Sequence, residues 1–379
     1  QTSLPAARPG PSICAVLGCR ASRGSAPRPG FPGGDSVKPN RFVWFLPLLL
    51  GLAACSEPIQ VAKGSNQGLT LFTPWQRIDD RVEWVADTLE SPVVVAIRPE
   101  KAFKVDIVDP GGIGSRNNWR TLAFLWDFQQ PGKLRETARD VMSDEIFNKL
   151  VAGDAGYTIV QDMWARGQTG LFLHCADPEA FRDWLQDHGG EVLAATVSSV
   201  IDGLVETLFV SGEQRALQRS IHDQYGFSVR IPAGYTAEED SANNVVRLRF
   251  IHYEGPALFM ILHARPGSEG SLDPQWGLRF RDELVFHYNE GDRVNFERSR
   301  GRRASFHGQP ATRLEGLWQN EEYTMGGGFR SILFMQGERF YFIDMAVFHP
   351  PGDKLPYMRE LEAVASTFTT GPLAGDASS

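Results

Sequence analysis

Apolar and polar residues alternate along several segments in the second half of the chain. Residues 227–231 and 246–250 show the two-residue period of a β-strand that buries one face. Strands are also predicted where branched and aromatic residues cluster, at 257–263, 293–297, 302–306, 311–318, 329–335 and 340–348. Helical spacing follows Asp273-Pro274 and recurs from Met358 to Phe368. Short glycine turns between consecutive strands favour an antiparallel sheet flanked by helices.

The first half combines both periods in shorter segments. Strands are predicted at 69–73, 93–97, 103–108, 121–126, 158–163 and 170–174, and helices at 79–89, 133–142 and 143–152. Asp177-Pro178 opens a further helix, which we expect Gly189 to stop before the helical spacing resumes. We therefore predict the α+β class, with two sandwich-like domains at 69–209 and 226–370. Each is expected to hold a largely antiparallel sheet, and a linking helix at 210–225 joins them.

Three features occur in order before the predicted domains. Lys38 and Arg41 form a short positive region, an apolar run follows from Phe42 to Leu52, and Ala53-Ala54 precedes Cys55. This order is typical of a secretory signal. The apolar run is about half of the roughly 20 residues that a spanning helix needs. We expect residues 1–54 to be a disordered leader plus a signal peptide, 55–68 a tether and 371–379 a disordered tail.

The segment Leu52-Ala53-Ala54-Cys55 resembles the lipobox of bacterial lipoproteins. That resemblance implies a diacylglycerol thioether on Cys55, cleavage before it and acylation of the new amine. Several acyl chains anchor a protein stably, whereas one chain is marginal. Ser56, rather than Asp, follows the cysteine, which favours the outer membrane over the inner membrane by resemblance to the sorting rule of enteric bacteria.

Removal of the leader changes the charge of the remaining chain. The whole chain has a formal net charge of −8, and the leader holds six basic residues and one acidic residue, so the remainder carries −13. A chain with this negative net charge lacks the excess of basic residues that is typical of nucleic-acid-binding proteins. Only Cys55 and Cys175 remain of four cysteines, so we expect no intramolecular disulfide.

The second half resembles the bacterial lipoprotein family known as domain of unknown function 4837. The resemblance is carried by Tyr225-Gly-Phe-Ser-Val-Arg-Ile-Pro-Ala-Gly-Tyr235, by Gly316-Leu-Trp318 leading to Met325-Gly-Gly-Gly-Phe329, and by Tyr357-Met-Arg-Glu-Leu-Glu-Ala-Val. Gly328 stands where the family has proline, and Arg116-Asn117 fits the family's first half. The opening segment and closing helix are also similar to the PsbP/Mog1-like fold. These resemblances imply a two-part lipoprotein and no particular activity.

The sequence does not contain a recognisable catalytic or metal-binding motif. His174 and Cys175 are neighbours on a strand and point to opposite faces, so they cannot form a nucleophile and base pair. Gly111-Gly-Ile-Gly114 lacks the third glycine and the lysine of phosphate-binding loops, which favours a turn. The eight histidines lack metal-ligand spacing. We therefore expect no cofactor, no metal and no identifiable catalytic residue.

Two groups of residues are candidates for binding. The first is a basic cluster on an acidic body, Arg298, Arg300, Arg302 and Arg303, which favours either a solvated hairpin face or contact with anionic headgroups or an anionic envelope polymer. The second is Trp318 with Met325, Gly326, Gly327 and Gly328. Three consecutive glycines predict a wide hairpin turn or the rim of a groove, with Trp318 as the anchor for a partner.

Together these patterns predict a lipid-anchored cell-envelope protein. The membrane, reached through the lipid on Cys55, is the first expected partner, and an envelope protein or anionic polymer is the second. We expect the second domain to bind a partner or ligand without catalysis. The alternative is a hydrolase whose His and acidic residues are scattered along the sequence.

Overall fold

The computed structural model describes residues 60–95, 98–251, 255–350 and 352–373. In chain order its strands are β1 (Gly68–Phe72), β2 (Pro92–Val93), β3 (Glu100–Lys101), β4 (Lys104–Val108), β5 (Thr121–Trp126), β6 (Ala155–Gln161), β7 (Thr169–Cys175), β8 (Thr236–Asp240), β9 (Val245–Ile251), β10 (Ala257–Pro266), β11 (Arg293–Phe306), β12 (Gln309–Asn320), β13 (Met325–Gln336) and β14 (Arg339–Phe348). The predicted leader and signal, Cys55 and the end of the predicted tail (374–379) lie outside the described residues.

The helices alternate with the strands in the first half and flank them in the second. They are α1 (Asp80–Leu89), α2 (Ile113–Arg116), α3 (Lys133–Val141), α4 (Asp144–Leu150), α5 (Pro178–Thr207), α6 (Arg215–Tyr225), α7 (Pro274–Tyr288) and α8 (Leu355–Ala365). None of the helices in the described ranges is both long and apolar enough to span a membrane. The combination of helices and sheets confirms the predicted α+β class.

The first sheet has the strand order β4-β1-β5-β7-β6. Three of its four pairings are parallel, and only β6 pairs antiparallel, with β7. The predicted largely antiparallel sheet is therefore wrong for the first half. Helices connect the parallel strands and cover both faces of this sheet. Strands β5 and β7 are therefore buried over almost their whole length. Such continuous apolar strands are typical of a parallel sheet.

Helix α5 is one continuous helix of 30 residues. The side chain of Asp177 accepts a hydrogen bond from the backbone N–H of Ala180 at 2.8 Å, which confirms the predicted N-cap. The predicted stop at Gly189 is wrong. Gly189 is buried inside the helix, and a Cβ placed there would lie 3.1 Å from Cγ2 of Thr88, so the glycine lets α5 pack closely on α1.

The second sheet has the strand order β11-β12-β13-β14-β10-β9-β8, and every pairing in it is antiparallel, as predicted. The two strands expected at 293–297 and 302–306 form one strand, β11, with an irregularity in register between Asn295 and Arg300. Residues 227–231 do not form a regular strand. Ser228 instead forms an isolated bridge with Thr369.

The two faces of the second sheet bury different sets of residues. On one face, Ile261, Phe329 and Phe342 pack with Leu278 and Val285 of α7. On the other face, Leu262, Ile343 and Val347 pack with residues of α6 and α8. Because successive residues of a strand point to opposite sides, neighbouring positions of β10 serve the two cores alternately.

Residues Ser56–Ser379 form one compact unit. Its two larger sheets do not share a strand, and β2 and β3 form a separate two-stranded sheet, but α8 contacts residues of both halves. Ala363 of α8 belongs to the core of the first sheet, while Met358 and Leu361 belong to the core of the second. The boundaries predicted at 69–209, 210–225 and 226–370 remain predictions of independent folding units.

Candidate functional site

A pocket of about 560 Å³ lies between α7, the end of β10 and the turn that joins β8 to β9. Strand β10 brings His263 and Arg265 to this side of the sheet, and α7 brings Phe280, Glu283 and Leu284. The turn contributes Ala242, Asn243 and Asn244. Its volume is within the range of sites that bind small molecules in proteins.

His263 is a buried side chain of this pocket. The residue is 9% exposed, and its ring nitrogens form no hydrogen bond of ordinary geometry among the described residues, although backbone groups of Asn243 and Asn244 lie close enough to oppose the lowering of its pKa. The ring packs against Phe280 with centroids 5.6 Å apart. Burial, and secondly the charge of Arg265, lowers the pKa of His263 to about 4. The imidazole is therefore neutral near pH 7, with one nitrogen able to donate a hydrogen bond and the other able to accept one.

Aromatic rings hold the guanidinium of Arg265 beside the pocket. Its Cζ lies 4.3 Å from the ring centroid of Phe280, 5.1 Å from that of Trp276 and 5.5 Å from that of Phe340. Its Nε has no hydrogen-bond partner among the described residues. Burial lowers the pKa of Arg265, and Glu269 and Glu283 oppose this effect by their charge. Arg265 thus brings a positive charge into a partly apolar wall.

Local structure fixes the two walls of the pocket. Asp273 caps α7 by accepting a hydrogen bond from the backbone N–H of Trp276 at 2.7 Å. At the other end of α7, the hydroxyl of Tyr288 donates to Asp240 at 2.8 Å, and Arg247 donates to the carbonyl of Tyr288. Burial raises the pKa of Tyr288 to about 12, so its phenol is protonated near pH 7. The helix is thereby tied to β8 and β9 next to the pocket.

A buried ion pair holds α7 on the middle of the sheet. Arg281 donates from Nε to Asp344 at 2.7 Å and from Nη2 at 3.0 Å, and Ser331 donates to the same carboxylate at 2.6 Å. The guanidinium lies 3.7 Å from the ring centroid of Phe329. Arg281 and Asp344 are almost completely buried. These fixed contacts define the position of α7, and therefore the width of the neighbouring pocket.

The structure places the predicted glycine segment inside a strand. Gly326, Gly327 and Gly328 belong to β13 and pair with residues of β12, so the predicted wide hairpin turn at these glycines is wrong. A Cβ on Gly327 would lie 2.8 Å from Nε1 of Trp318, and one on Gly328 would meet the backbone of Val95. The absence of side chains on these glycines therefore lets Trp318 and Val95 pack closely against β13, and none of the three has a positive φ.

Trp318 does not project from the surface as the predicted anchor would require. It is 3% exposed and packs in the core under α7. With Met325 and Arg298 it lines a cavity of about 470 Å³, and its Nε1 has no hydrogen-bond partner in the described ranges. A binding role for Trp318, Met325 and the glycines stays a prediction.

The pleat of β11 divides the predicted basic cluster between two faces. Arg300 lies opposite Glu315 of β12 and forms an ion pair with it at 2.6 Å. Arg302, two residues further along β11, lies on the same face as Arg300. Gly301 and Arg303 lie on the other face, where a Cβ added to Gly301 would lie 2.7 Å from Cβ of Pro274 in α7. Arg298 lies in the irregular part of β11 and lines the cavity beside Trp318. The four arginines thus do not form one continuous surface.

The first half contains a buried histidine whose ring nitrogens are both occupied. Nδ1 of His174 accepts a hydrogen bond from the backbone N–H of Phe128 at 3.2 Å, and Nε2 lies 3.1 Å from the carbonyl oxygen of Gly153. Cys175 is 2% exposed, and burial raises its thiol pKa to about 12. His174 and Cys175 pack in different cores, as their predicted opposite orientation requires. Neither side chain is available for nucleophilic chemistry in this conformation.

Sequence reasoning missed the pocket around His263. A histidine at the end of the apolar strand 257–263 and an aromatic residue or leucine every four positions in α7 were the available signals. Neither signal shows that α7 packs beside β10, because this contact joins distant parts of the chain. In the described parts of the chain, no group of three or more His, Cys, Asp or Glu side chains is arranged to hold a metal ion.

Comparison with solved structures finds chains similar to part of this chain. Cyanobacterial PsbP from Synechocystis sp. PCC 6803 is 13% identical, with 38% of this chain and 87% of that chain covered and a TM-score of 0.28. LpqN, described as involved in cell envelope biogenesis of Mycobacterium tuberculosis, is 14% identical, with coverages of 38% and 82% and a TM-score of 0.25.

Comparison with curated proteins finds no match. A family model does match, over residues 214–367, and its description is Domain of unknown function (DUF4837). Arg116 and Asn117 lie outside the matched residues. The resemblance seen in the sequence is thereby confirmed for the second half, and residues 214–367 match the DUF4837 family.

Proposed function

We propose that the protein is a lipid-anchored envelope protein whose DUF4837 domain binds a small polar ligand in the pocket around His263, without catalysis. The anchor is supported by the order of positive residues, apolar run, small residues and Cys55. Ser56 after the cysteine supports the outer membrane. Binding is supported by the geometry of the pocket, which combines a neutral imidazole, a guanidinium and an aromatic wall.

The observation that carries the binding proposal is the convergence of the His263 imidazole, the Arg265 guanidinium and the ring of Phe280 on one pocket. A hydrogen bond to a neutral group contributes about 0.5–1.5 kcal/mol and one to a charged group about 1.5–3 kcal/mol, so a polar ligand gains most at Arg265. A ligand with one donor and one acceptor group satisfies a neutral imidazole. A carboxylate or amide on the same molecule can also reach Arg265, and Glu269 and Glu283 of the lining can accept hydrogen bonds from its donor groups, so the expected ligand is small and polar.

The geometry favours binding over the alternative of hydrolysis. Hydrolysis through a Ser, Thr or Cys nucleophile needs that hydroxyl or thiol beside a base. Among the described residues that line the pocket there is no serine, threonine or cysteine, and the pKa of the Tyr288 phenol is raised. His174 is occupied by its hydrogen bonds to Phe128 and Gly153. The described lining of the pocket therefore has groups that orient a ligand and lacks a hydroxyl or thiol with a lowered pKa that would attack it.

Ligand-observed NMR tests the pocket. Small molecules extracted from the envelope of the native host are mixed with the purified chain, and saturation transfer identifies those that bind. We expect at least one compound to bind the wild type and to lose its signal with His263→Leu. His188→Ala, an exposed substitution on α5, serves as the matched control and retains binding. Equal binding by the wild type and His263→Leu contradicts the proposal.

Fractionation tests the anchor separately. We expect Cys55→Ser to release the protein from the membrane pellet in the native host, because the serine cannot form the thioether. Cys175→Ser is the matched control and stays in the pellet. A density gradient of the wild type then shows whether the protein is in the outer membrane. If Cys55→Ser still sediments with the envelope, the lipid anchor is wrong, whatever the result for His263.

A further inference from the structure

We propose that a second cleft, between α5 and the second sheet, binds a small anion that carries a short hydrocarbon chain. The cleft has a volume of about 290 Å³ and is separate from the pocket around His263. One wall is formed by α5, which belongs to the first half of the chain, and the other by β11, β12 and β13 of the DUF4837 domain. The site therefore exists only where the two halves meet.

Charged residues form two rows across the strands on the sheet side of this cleft. The first row places Glu315 between Arg300 and Arg330, so that opposite charges are neighbours. The second row places Arg302 directly opposite Arg313. Like charges at directly opposed positions of a sheet repel each other unless an anion lies near them. The second row is therefore the place where the sheet favours a bound negative charge.

The carboxylates near the cleft compensate only part of this positive charge. Glu362, which is nearly buried, accepts from Arg330 at 2.7 Å and lies 3.4 Å from Arg313. Glu315 is paired with Arg300. Within the part of the chain that the structure describes, no carboxylate lies at ion-pair distance from Arg302, and Nε of Arg330 is buried without a hydrogen-bond partner. A ligand carboxylate or phosphate would supply the missing negative charge.

The opposite wall of the cleft is apolar. Ala194, Val197 and Ile201 lie on one face of α5, because they are three and four residues apart. Ile332 and Met345 add apolar surface on the sheet side of the cleft. A cationic rim above an apolar wall fits a molecule with an anionic head and a short chain better than a bare inorganic anion, which would leave the apolar surface unused. The cleft is small, which favours a single chain.

Calorimetric titration of the purified chain with three probes tests the proposal. Octanoate, used below its critical micelle concentration, combines charge and chain, whereas acetate lacks the chain and octanol lacks the charge. We expect saturable binding of octanoate at one site, with binding at least about tenfold weaker for the other two probes. His263→Leu leaves octanoate binding unchanged, so this test is independent of the proposed function.

Two exposed neighbours on β11 provide a matched pair of variants. Arg302→Ala removes the uncompensated charge and is expected to weaken octanoate binding about tenfold, whereas Arg303→Ala, on the other face of the strand, leaves it unchanged. Ala194→Trp fills the cleft from an exposed position of α5 and abolishes binding. The urea midpoint of each variant is measured beside its affinity, so that loss of binding is read only from folded protein.

Several results would overturn the proposal. Equal loss of octanoate binding in Arg302→Ala and Arg303→Ala would indicate general surface attraction. Equal binding of acetate would show that the apolar wall contributes nothing. Sedimentation with phosphatidylglycerol vesicles distinguishes a lipid headgroup in a bilayer from a free amphiphile. Vesicle binding that depends on Arg302, without any binding of octanoate, would assign this face to the membrane and exclude the small ligand.

Discussion

His263 owes its position to the two-residue period of β10. Its neighbours Leu262 and Ala264 belong to the core on the opposite face, so His263 must face α7. Phe280 then covers the imidazole and excludes water from most of it. The same packing that buries the ring leaves its nitrogens without a hydrogen bond of ordinary geometry among the described residues. The pocket and the lowered pKa therefore have a common cause, which is the crossing of α7 beside the end of β10.

This burial predicts a specific dependence of stability on pH. The pKa of His263 is about 4 in the folded chain, against an ordinary value of 6.5. Between these values the unfolded chain binds a proton that the folded chain does not, so stability falls as the pH falls from 6.5 to 4. The loss is about 1.4 kcal/mol for each pH unit in this range. Well above pH 6.5 the imidazole is neutral in both the folded and the unfolded chain, so His263 no longer makes stability depend on pH.

Urea unfolding at pH 7.0 and pH 4.5 measures this effect. We expect His263→Leu to lose less stability than the wild type over this interval, because leucine does not titrate. Burial raises the pKa of Asp292 to about 6, which has the opposite sign, but this residue is common to both proteins and cancels in the comparison. His188→Leu, exposed on α5, is the control and follows the wild type. A parallel pH dependence of wild type and His263→Leu would show that the folded imidazole is not protected from protonation.

At the scale of elements, local signals predicted the beginnings of helices well. Asp79, Ser143, Asp177 and Asp273 each accept a hydrogen bond from the first turn of a helix. Such caps depend on residues within one turn of each other, so they can be read from the sequence. The parallel order of the first sheet could not be read in the same way, because pairs such as β1 and β4 are formed through α1. The nearly continuous apolar residues of β5 and β7, which the structure buries, are a sequence pattern typical of parallel strands.

The candidate site shows the same limit. The period of β10 and α7 could be recognised from the sequence, but their contact could not. Likewise, Met325–Phe329 was interpreted as a turn because three glycines are typical of turns. The contacts of Gly327 with Trp318 and of Gly328 with Val95 show that the glycines instead make room for distant residues. Glycines that serve a turn and glycines that serve close packing look alike in one sequence.

Two glycines of α5 allow a test of whether a glycine makes room for a distant residue. A Cβ on Gly203 would lie 2.6 Å from the carbonyl oxygen of Gly167, which has a φ of +76°. A Cβ on Gly190, in the same helix, would meet nothing within 4 Å. We expect Gly203→Ala to lower the free energy of unfolding by about 1–3 kcal/mol through overpacking. Gly190→Ala is the matched control and should raise it by about 0.5–1 kcal/mol, because alanine favours the helix.

Urea denaturation followed by circular dichroism measures both variants under identical conditions. The pair holds the helix and the chemical change constant and varies only the space around the added methyl group. Equal stabilisation by both alanines would mean that α5 does not approach Gly167 as closely as the structure places it. Equal destabilisation would mean that the helix is interrupted at Gly189-Gly190, as the sequence pattern alone predicts.

At the scale of the whole molecule, α8 joins the two halves through buried polar contacts. Arg359, 1% exposed, donates to the carbonyl of Asn66 and, at 2.8 Å, to that of Ala102. Burial lowers the pKa of Arg359 to about 10, so the guanidinium still carries its charge near pH 7. The carboxylate of Glu100 accepts hydrogen bonds from the backbone N–H groups of Lys354 and Leu355 and so caps the start of α8. Hydrogen bonds with residues of the first half thus stabilise a helix of the second half.

These contacts predict that the described part of the chain unfolds cooperatively. If the first half unfolded alone, the charge of Arg359 would lose its carbonyl partners and α8 would lose its cap, so the remaining half would be destabilised. Hydrogen exchange measured by mass spectrometry should therefore give β5 and β14 the same free energy of global opening. Arg359→Met should lower both values together by about 1–3 kcal/mol, because Asn66 and Ala102 then keep buried carbonyls without donors. Arg139→Met, on the exposed side of α3, is the matched control and changes neither value. If β14 instead keeps its protection while β5 opens, the halves are independent domains with the predicted boundaries, and the cleft between α5 and the sheet can open without unfolding either half.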